Sequence, residues 1–264
     1  MRSYADVQSI SSNEMIITLD NDEAAAGWVG EKQARPETAT PQFGQKKIVC
    51  NEIYAEPRAT QRAVDDASFD LEAWLSGKVA EKFGRTENTA FVNGDGIEKP
   101  RGFTTYDDGV VGHGVASQEL IEQIKTGDAN NLTTDAFFDM EASLKGEYMG
   151  NALWFLNRKS LGEIRKLVDG QGNYIWDPGF NGSTGPTILG KGYARFEDMA
   201  AVAANALPIA FGDMKETYQI LDRIGIRVLR DPYTAKPFVK YYTTKRVGGD
   251  VKNFESLKLM KVKA

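Results

Sequence analysis

From Ala67 to Val92 the chain writes one long helix with a single apolar stripe. Leu71, Leu75, Val79 and Phe83 fall at i, i+4 spacing, with Trp74 beside them. The other faces carry Asp70, Glu72, Lys78, Glu81, Lys82 and Arg85, and Glu81 with Arg85 makes a favourable i, i+4 pair. Asp66 or Ser68 is placed to cap its start. At about 1.5 Å per residue the helix is ~40 Å long, well beyond the average of globular proteins. With only one face to bury, it is expected to lie across a sheet as a spine.

The helix stops at an unusual signal, Asn93-Gly94-Asp95-Gly96, followed by a Pro100-Arg101-Gly102 step. Glycines packed this closely often cradle phosphate, which makes the stretch a candidate site. A P-loop needs Gly-x4-Gly-Lys-Ser/Thr between a strand and a helix; here the glycines come after a helix and the pattern is missing. Asn93 and Asp95 are too few oxygen ligands for an EF-hand loop. A helix stop fits better, with Gly94 and Gly96 expected at positive φ.

Before the helix, residues 27–49 read as two extended arms around a polar middle. Trp28 and Val29 lie in the first arm, and Ile48 and Cys50, with Ile53 and Tyr54 beyond, lie in the second. Between Glu31 and Gln45 the only large apolar residue is Phe43. A two-stranded hairpin alone is marginal in water, so another subunit is the simplest support; an irregular surface loop is the alternative. Met15–Leu19 is a short strand, 133–149 a helix, and 152–157 ("ALWFLN") a buried strand. A helix follows with Leu161, Ile164 and Leu167 on one face, stopped by Gly170. Residues 170–192 form a Gly-rich loop with Tyr174, Trp176 and Phe180 as anchors. The remainder alternates strand signals with turns.

The usual catalytic constellations are missing. His113 is the one histidine, in a Gly-rich loop without a Ser or Cys motif near it, which argues against zinc and Ser-His-Asp chemistry. Cys50, the one cysteine, excludes an internal disulfide and reads as a small core residue. Asp65 and Asp66 read as caps, and Asp169 and Asp177 have no partner that spacing suggests. No enzyme, cofactor or metal is expected. The first fifteen residues hold no apolar h-region, so no signal peptide is expected, and no apolar run is long enough for a membrane helix. The net charge of −5 argues against a protein devoted to gripping nucleic acid. Residues 236–264 are locally basic, with eight cationic side chains against Asp250 and Glu255; these are expected to face acidic neighbours.

In this order the pieces resemble a known family: the polar hairpin, the helix ending in "NGDG", the "PRG" step, "LWFLNRKSLGEIRKLVDGQGNYIW", then "LPIAFGDMKETYQILDRIGIRVLRDPYTAKPFVKYYTTKRVGG". This is similar to the major capsid proteins of tailed phages, the Hong Kong 97-type shell fold, and to the heads of gene transfer agents. The likeness covers nearly the whole chain. It implies an α+β fold. Residues 1–26 would be a remnant of an N-terminal arm and first strand. Residues 27–49 would be an extended loop reaching over a neighbouring subunit, with Glu31, Lys32, Arg35 and Glu37 making the contact. Residues 50–117 would be a peripheral domain containing the spine helix 67–92, with Asn93, Gly94, Asp95 and Gly96 as its stop. Residues 118–235 would be an axial domain, and 236–264 would return as strands to the peripheral domain.

The resemblance implies a major capsid protein that self-assembles into hexamers and pentamers. They form an icosahedral-type head shell around double-stranded DNA, held without sequence specificity. Portal and decoration proteins are the expected partners, with no membrane. The expected place is the virion, assembled in the bacterial cytoplasm. An encapsulin-like protein compartment shares the fold and is the alternative; a soluble enzyme using 170–192 as a lid is the rival from another class. The chain also departs from the pattern. Many members begin with a long helical scaffolding region that a maturation protease removes; residues 1–26 are expected not to contain it, with Met1 either an internal residue of a longer precursor or the first residue. Some members join a loop lysine to a neighbour's asparagine, helped by a glutamate. Those positions fall here at Arg35, Tyr241 and near Gly248. Arginine stays protonated and cannot be the nucleophile.

Overall fold

The structure, a computed structural model, describes residues 1–20, 28–30, 33, 37, 43–66, 68–109, 119–168, 171 and 187–264. Its elements begin with β1 (Asp6–Ser9), β2 (Glu14–Asp20), β3 (Phe43–Val49), β4 (Asn51–Ala55), β5 (Arg58–Thr60), α1 (Gln61–Asp66) and α2 (Leu71–Asn93). After a 3-10 turn at Phe103–Thr105 come β6 (Asp107–Asp108), β7 (Leu120–Ile121), β8 (Gln123–Lys125), α3 (Thr134–Ser143), β9 (Leu153–Leu156) and α4 (Arg158–Arg165). The chain ends with β10 (Thr187–Ile188), β11 (Lys191–Arg195), β12 (Ile209–Gly212), α5 (Met214–Thr217), β13 (Tyr218–Asp231), β14 (Phe238–Val251) and β15 (Leu257–Lys261). The fold is α+β, in two units. A separate two-stranded ribbon joins β2 to β3.

The first unit comprises Met1–Met15, Ile48–Thr105 and Gln219–Asp250. Its sheet runs β1-β13-β14-β4, with β5 also on β14. β1 is parallel to β13, and β4 and β5 are antiparallel to β14. The spine helix α2 belongs here, and it differs from expectation in two ways. It starts at Leu71, because Asp70 takes an extended backbone and its carboxylate accepts the Ala73 N–H at 3.0 Å. Asp66 closes the short α1 and is not the cap. Trp74 is not part of the packed stripe: it is 52% exposed, edge-on to Phe69. The stripe runs deeper at its other end, where Val79, Phe83, Glu87, Phe91 and Val92 are buried. Arg85 and Glu81 do pair on the solvent face.

The second unit comprises Ile16–Lys47, Tyr106–Tyr218 and Val251–Ala264. Its six-stranded sheet has the order β10-β11-β9-β12-β15-β8. Trp154 of β9 stacks on Phe211 of β12 with ring centroids 4.2 Å apart, and its indole N–H donates to the Ile188 carbonyl. Phe137 and Met140 of α3, Leu161 and Ile164 of α4 and Met260 of β15 join the same apolar cluster. α3 ends at Ser143, short of the expected 149, and a run of turns follows. α4 ends at Arg165, before Gly170, with Asn157 capping its start.

Two expected boundaries are corrected. Most of β13, assigned from sequence to the axial segment 118–235, lies in the first unit. β15, expected to return to the first sheet, pairs instead between β12 and β8. The reason lies in burial. β15 is apolar on both faces, with Leu257, Leu259, Met260 and Val262 beyond it fully buried. Such a strand belongs inside a sheet covered on both sides.

Candidate functional site

The candidate site is the set of features that fix and present this protein's surfaces. Among the described residues no group of three or more His, Cys, Asp and Glu is placed to hold a metal ion. Of the described helices, none is long and apolar enough to cross a membrane.

Of the expected loop contacts, Glu37 is exposed; Glu31, Lys32 and Arg35 lie outside the described residues, as do His113, Tyr174, Trp176 and Phe180. At the end of α2, Gly94 is the C-cap and donates to the Ala90 carbonyl at 2.8 Å. Its φ of −67° corrects the expected positive value. Glycine is required there by space, since a Cβ would lie 2.1 Å from the Pro100 carbonyl oxygen. Gly96 does take φ +80°, a region open chiefly to glycine. The chain then folds back. Gly102 donates to the Gly94 carbonyl at 2.8 Å, and a Cβ on Gly102 would sit 2.2 Å from the Val92 oxygen. Thr104 Oγ1 donates to the Val92 carbonyl at 2.6 Å, satisfying one of the last acceptors of the helix. Asp95 accepts the Ile97 N–H and pairs with Lys99, which together hold its carboxyl below the ordinary range.

Sequence reasoning missed the most concentrated charge in the first unit. Glu87 on α2 is 2% exposed. One of its oxygens accepts from Arg2 at 2.7 Å and the other from Lys245 of β14 at 2.6 Å. Arg2 also donates to both oxygens of Asp222 on β13, at 2.5 and 2.8 Å. Burial alone would raise the Asp222 carboxyl, but the Arg2 hydrogen bonds and the charges of Arg2 and Lys245 leave it below the usual value. This alternating quartet ties the first residues, the spine helix and two strands together. One signal was available: Glu87 continues the row Leu71, Leu75, Val79, Phe83 by one more step of four.

A buried cation lies in the second unit. Lys46 on β3 is 7% exposed, donates to the Tyr106 hydroxyl at 2.8 Å and the Val251 carbonyl at 3.2 Å, and lies over the ring of Phe254. The basic C-terminal stretch meets acidic partners: Lys240 with Glu56, Arg246 with Glu52, and Lys258 with Glu122.

At the positions expected to match the family's crosslinking residues, Tyr241 is buried, with its hydroxyl unpaired among the described residues. At Gly248 a Cβ would lie 2.7 Å from the Val49 carbonyl oxygen, so no glutamate side chain could start there.

Comparison with known proteins decides the family. The phage capsid family matches residues 1–262. The chain belongs to the phage capsid family. A solved structure described as "Capsid of native GTA particle computed with C5 symmetry" is 38% identical, with TM-score 0.92, over 100% of this chain and 89% of that one. The corresponding empty-particle structure gives the same identity and coverage with TM-score 0.90. A solved structure described as "Microbacterium phage Oxtober96" is 16% identical at TM-score 0.69, over 98% of this chain and 89% of that one, and shares the fold. A search of curated proteins finds no significant match. This member of the capsid family is a major capsid protein of a phage or a gene transfer agent, and self-assembly into shell oligomers is what such capsids do.

Proposed function

We propose that this capsid protein forms hexamers and pentamers that close into an icosahedral-type head around double-stranded DNA. The carrying observation is the full-length match, 38% identical, to the capsid of a GTA particle. In this reading the first unit, with α2, is the peripheral domain, and the second unit holds the axial domain. Residues 27–49 reach over a neighbouring subunit through Glu31, Lys32, Arg35 and Glu37, and Asn93 to Gly96 turn the chain back from the spine helix. Portal and decoration proteins complete the head, and assembly takes place in the bacterial cytoplasm. The net charge of −5 suits a wall that encloses DNA without gripping it, since cationic contacts to phosphate would oppose movement of the packed duplex. No isopeptide bond forms between subunits, because Arg35 is no amine nucleophile and Tyr241 and Gly248 replace the other two partners.

The test is the size of the purified protein by light scattering and negative-stain microscopy, with nuclease-protected nucleic acid measured in particles from the native host. Closed shells containing protected DNA are expected. A stable monomer at high concentration would overturn the reading, and shells filled with protein and free of DNA would favour the encapsulin-like alternative.

A further inference from the structure

Resting on that shell-forming reading, we propose that the outer edge of β13, from Ile224 to Arg230, is an open strand edge that pairs backbone to backbone with a strand of a second copy of this chain.

The observation begins with β1. It covers β13 only through the register Asp6↔Gln219 to Ser9↔Asp222. The last backbone bond on that edge is from the Ile10 N–H to the Asp222 carbonyl at 2.9 Å. Beyond it the chain turns away, leaving only the Arg223 side chain on Ser11 and Asn13. β13 continues for nine more residues, to Asp231, with β14 on its other side. Among the described residues nothing pairs with the edge that β1 has left.

Backbone direction alternates along a strand. Asp222 faces the edge, so Ile224, Ile226, Val228 and Arg230 point their N–H and C=O groups the same way. Gly225 through Arg230 are all exposed. An edge left like this is a template for another strand unless charge, proline or a bulge protects it. The sequence Ile-Gly-Ile-Arg-Val-Leu-Arg holds no proline, its two charges are the exposed Arg227 and Arg230, which an acidic partner strand would neutralise, and its β-branched residues favour a strand.

The surroundings fit a protein partner. Arg230 reaches Glu72 in the first turn of α2, beside exposed Phe69 and Trp74. Leu229 is 63% and Tyr233 81% exposed. Aromatic residues and arginine are the types enriched at interface centres. Charge favours a second copy as occupant. The exposed part of the strand carries Arg227 and Arg230, whereas the chain as a whole is at −5, so another copy is a net source of carboxylates for an arginine-bearing edge.

The experiment compares Val228→Pro with Val228→Ala. Proline removes an edge-facing N–H without touching the ladder to β14; alanine keeps it. Val228→Pro should raise the protein concentration needed for particle formation about tenfold or more, the effect of one lost hydrogen bond at every contact, while Val228→Ala assembles near the wild-type concentration. Normal assembly of Val228→Pro overturns the inference and leaves the shell reading intact; failure of the wild type to assemble removes both. Hydrogen exchange on the wild type covers the case in which Val228→Pro melts early. The amides of Ile226, Val228 and Arg230 should exchange freely in dissociated subunits and be protected in particles. Equal exchange in both states also overturns the inference.

Discussion

Single residues in the first unit carry more electrostatic commitment than their exposure on paper would suggest. Glu87 is held by Arg2 and Lys245 together, and breaking a buried charge group by removing one member costs about 3–5 kcal/mol. Glu87→Ala should therefore lower the urea midpoint sharply, since it strands two cations. Arg2→Ala should cost less, because its guanidinium is partly solvated. Urea melts of both variants check the order; an Arg2→Ala effect equal to that of Glu87→Ala would contradict it. Asp222 adds a pH dependence with a definite sign. Its carboxyl is depressed in the folded state, so its contribution is present above the unfolded value of about 3.9 and is lost as pH falls through the lower folded value. Thermal melts between pH 6 and pH 2 should show a steeper acid loss in the wild type than in Asp222→Asn. The same scale explains what could not be seen beforehand. Arg2 and Asp222 lie 220 positions apart, and no local pattern links them.

At the scale of elements, the periodic ones were legible and the boundaries were less so. The i, i+4 row predicts α2, and the short apolar run predicts β9, because each element buries a face that its own sequence marks. The strand β15 reads correctly as a strand but not as to its sheet, since pairing partners are chosen by distant burial. The start of α2 lies beyond both expected caps, Asp66 and Ser68, because Asp70, expected on the polar face of the helix, takes an extended backbone and caps it instead. Trp74 stands beside the buried row and faces solvent, with a consequence that can be measured. Trp74→Ala should leave the melting temperature within a few degrees of wild type, as exposed substitutions do. Phe91→Ala should destabilise by about 3–5 kcal/mol, as for a fully buried aromatic. Comparable melting of the two variants would place the packed face of the helix elsewhere.

For the whole molecule, the composition of the crosslinking positions makes its own prediction. Particles boiled in detergent should run as a single band near 29.1 kDa; a ladder of multimers surviving reductant would show covalent joining. The shell then rests on buried area, strand pairing and exposed ion pairs, each pair worth about 0–1 kcal/mol, so high salt should weaken it. The first unit is assembled from three separate stretches, Met1–Met15, Ile48–Thr105 and Gln219–Asp250. On a ribosome this becomes a matter of timing. The partner of β1 is still unmade when β1 emerges, and Arg2 waits for Asp222 while Glu87 waits for Lys245. Until those late strands arrive, the spine helix has no sheet to lie on. Synthesis that stops before Gln219 therefore leaves this unit without two strands of its sheet, and such a fragment is expected to lack the surface a shell needs.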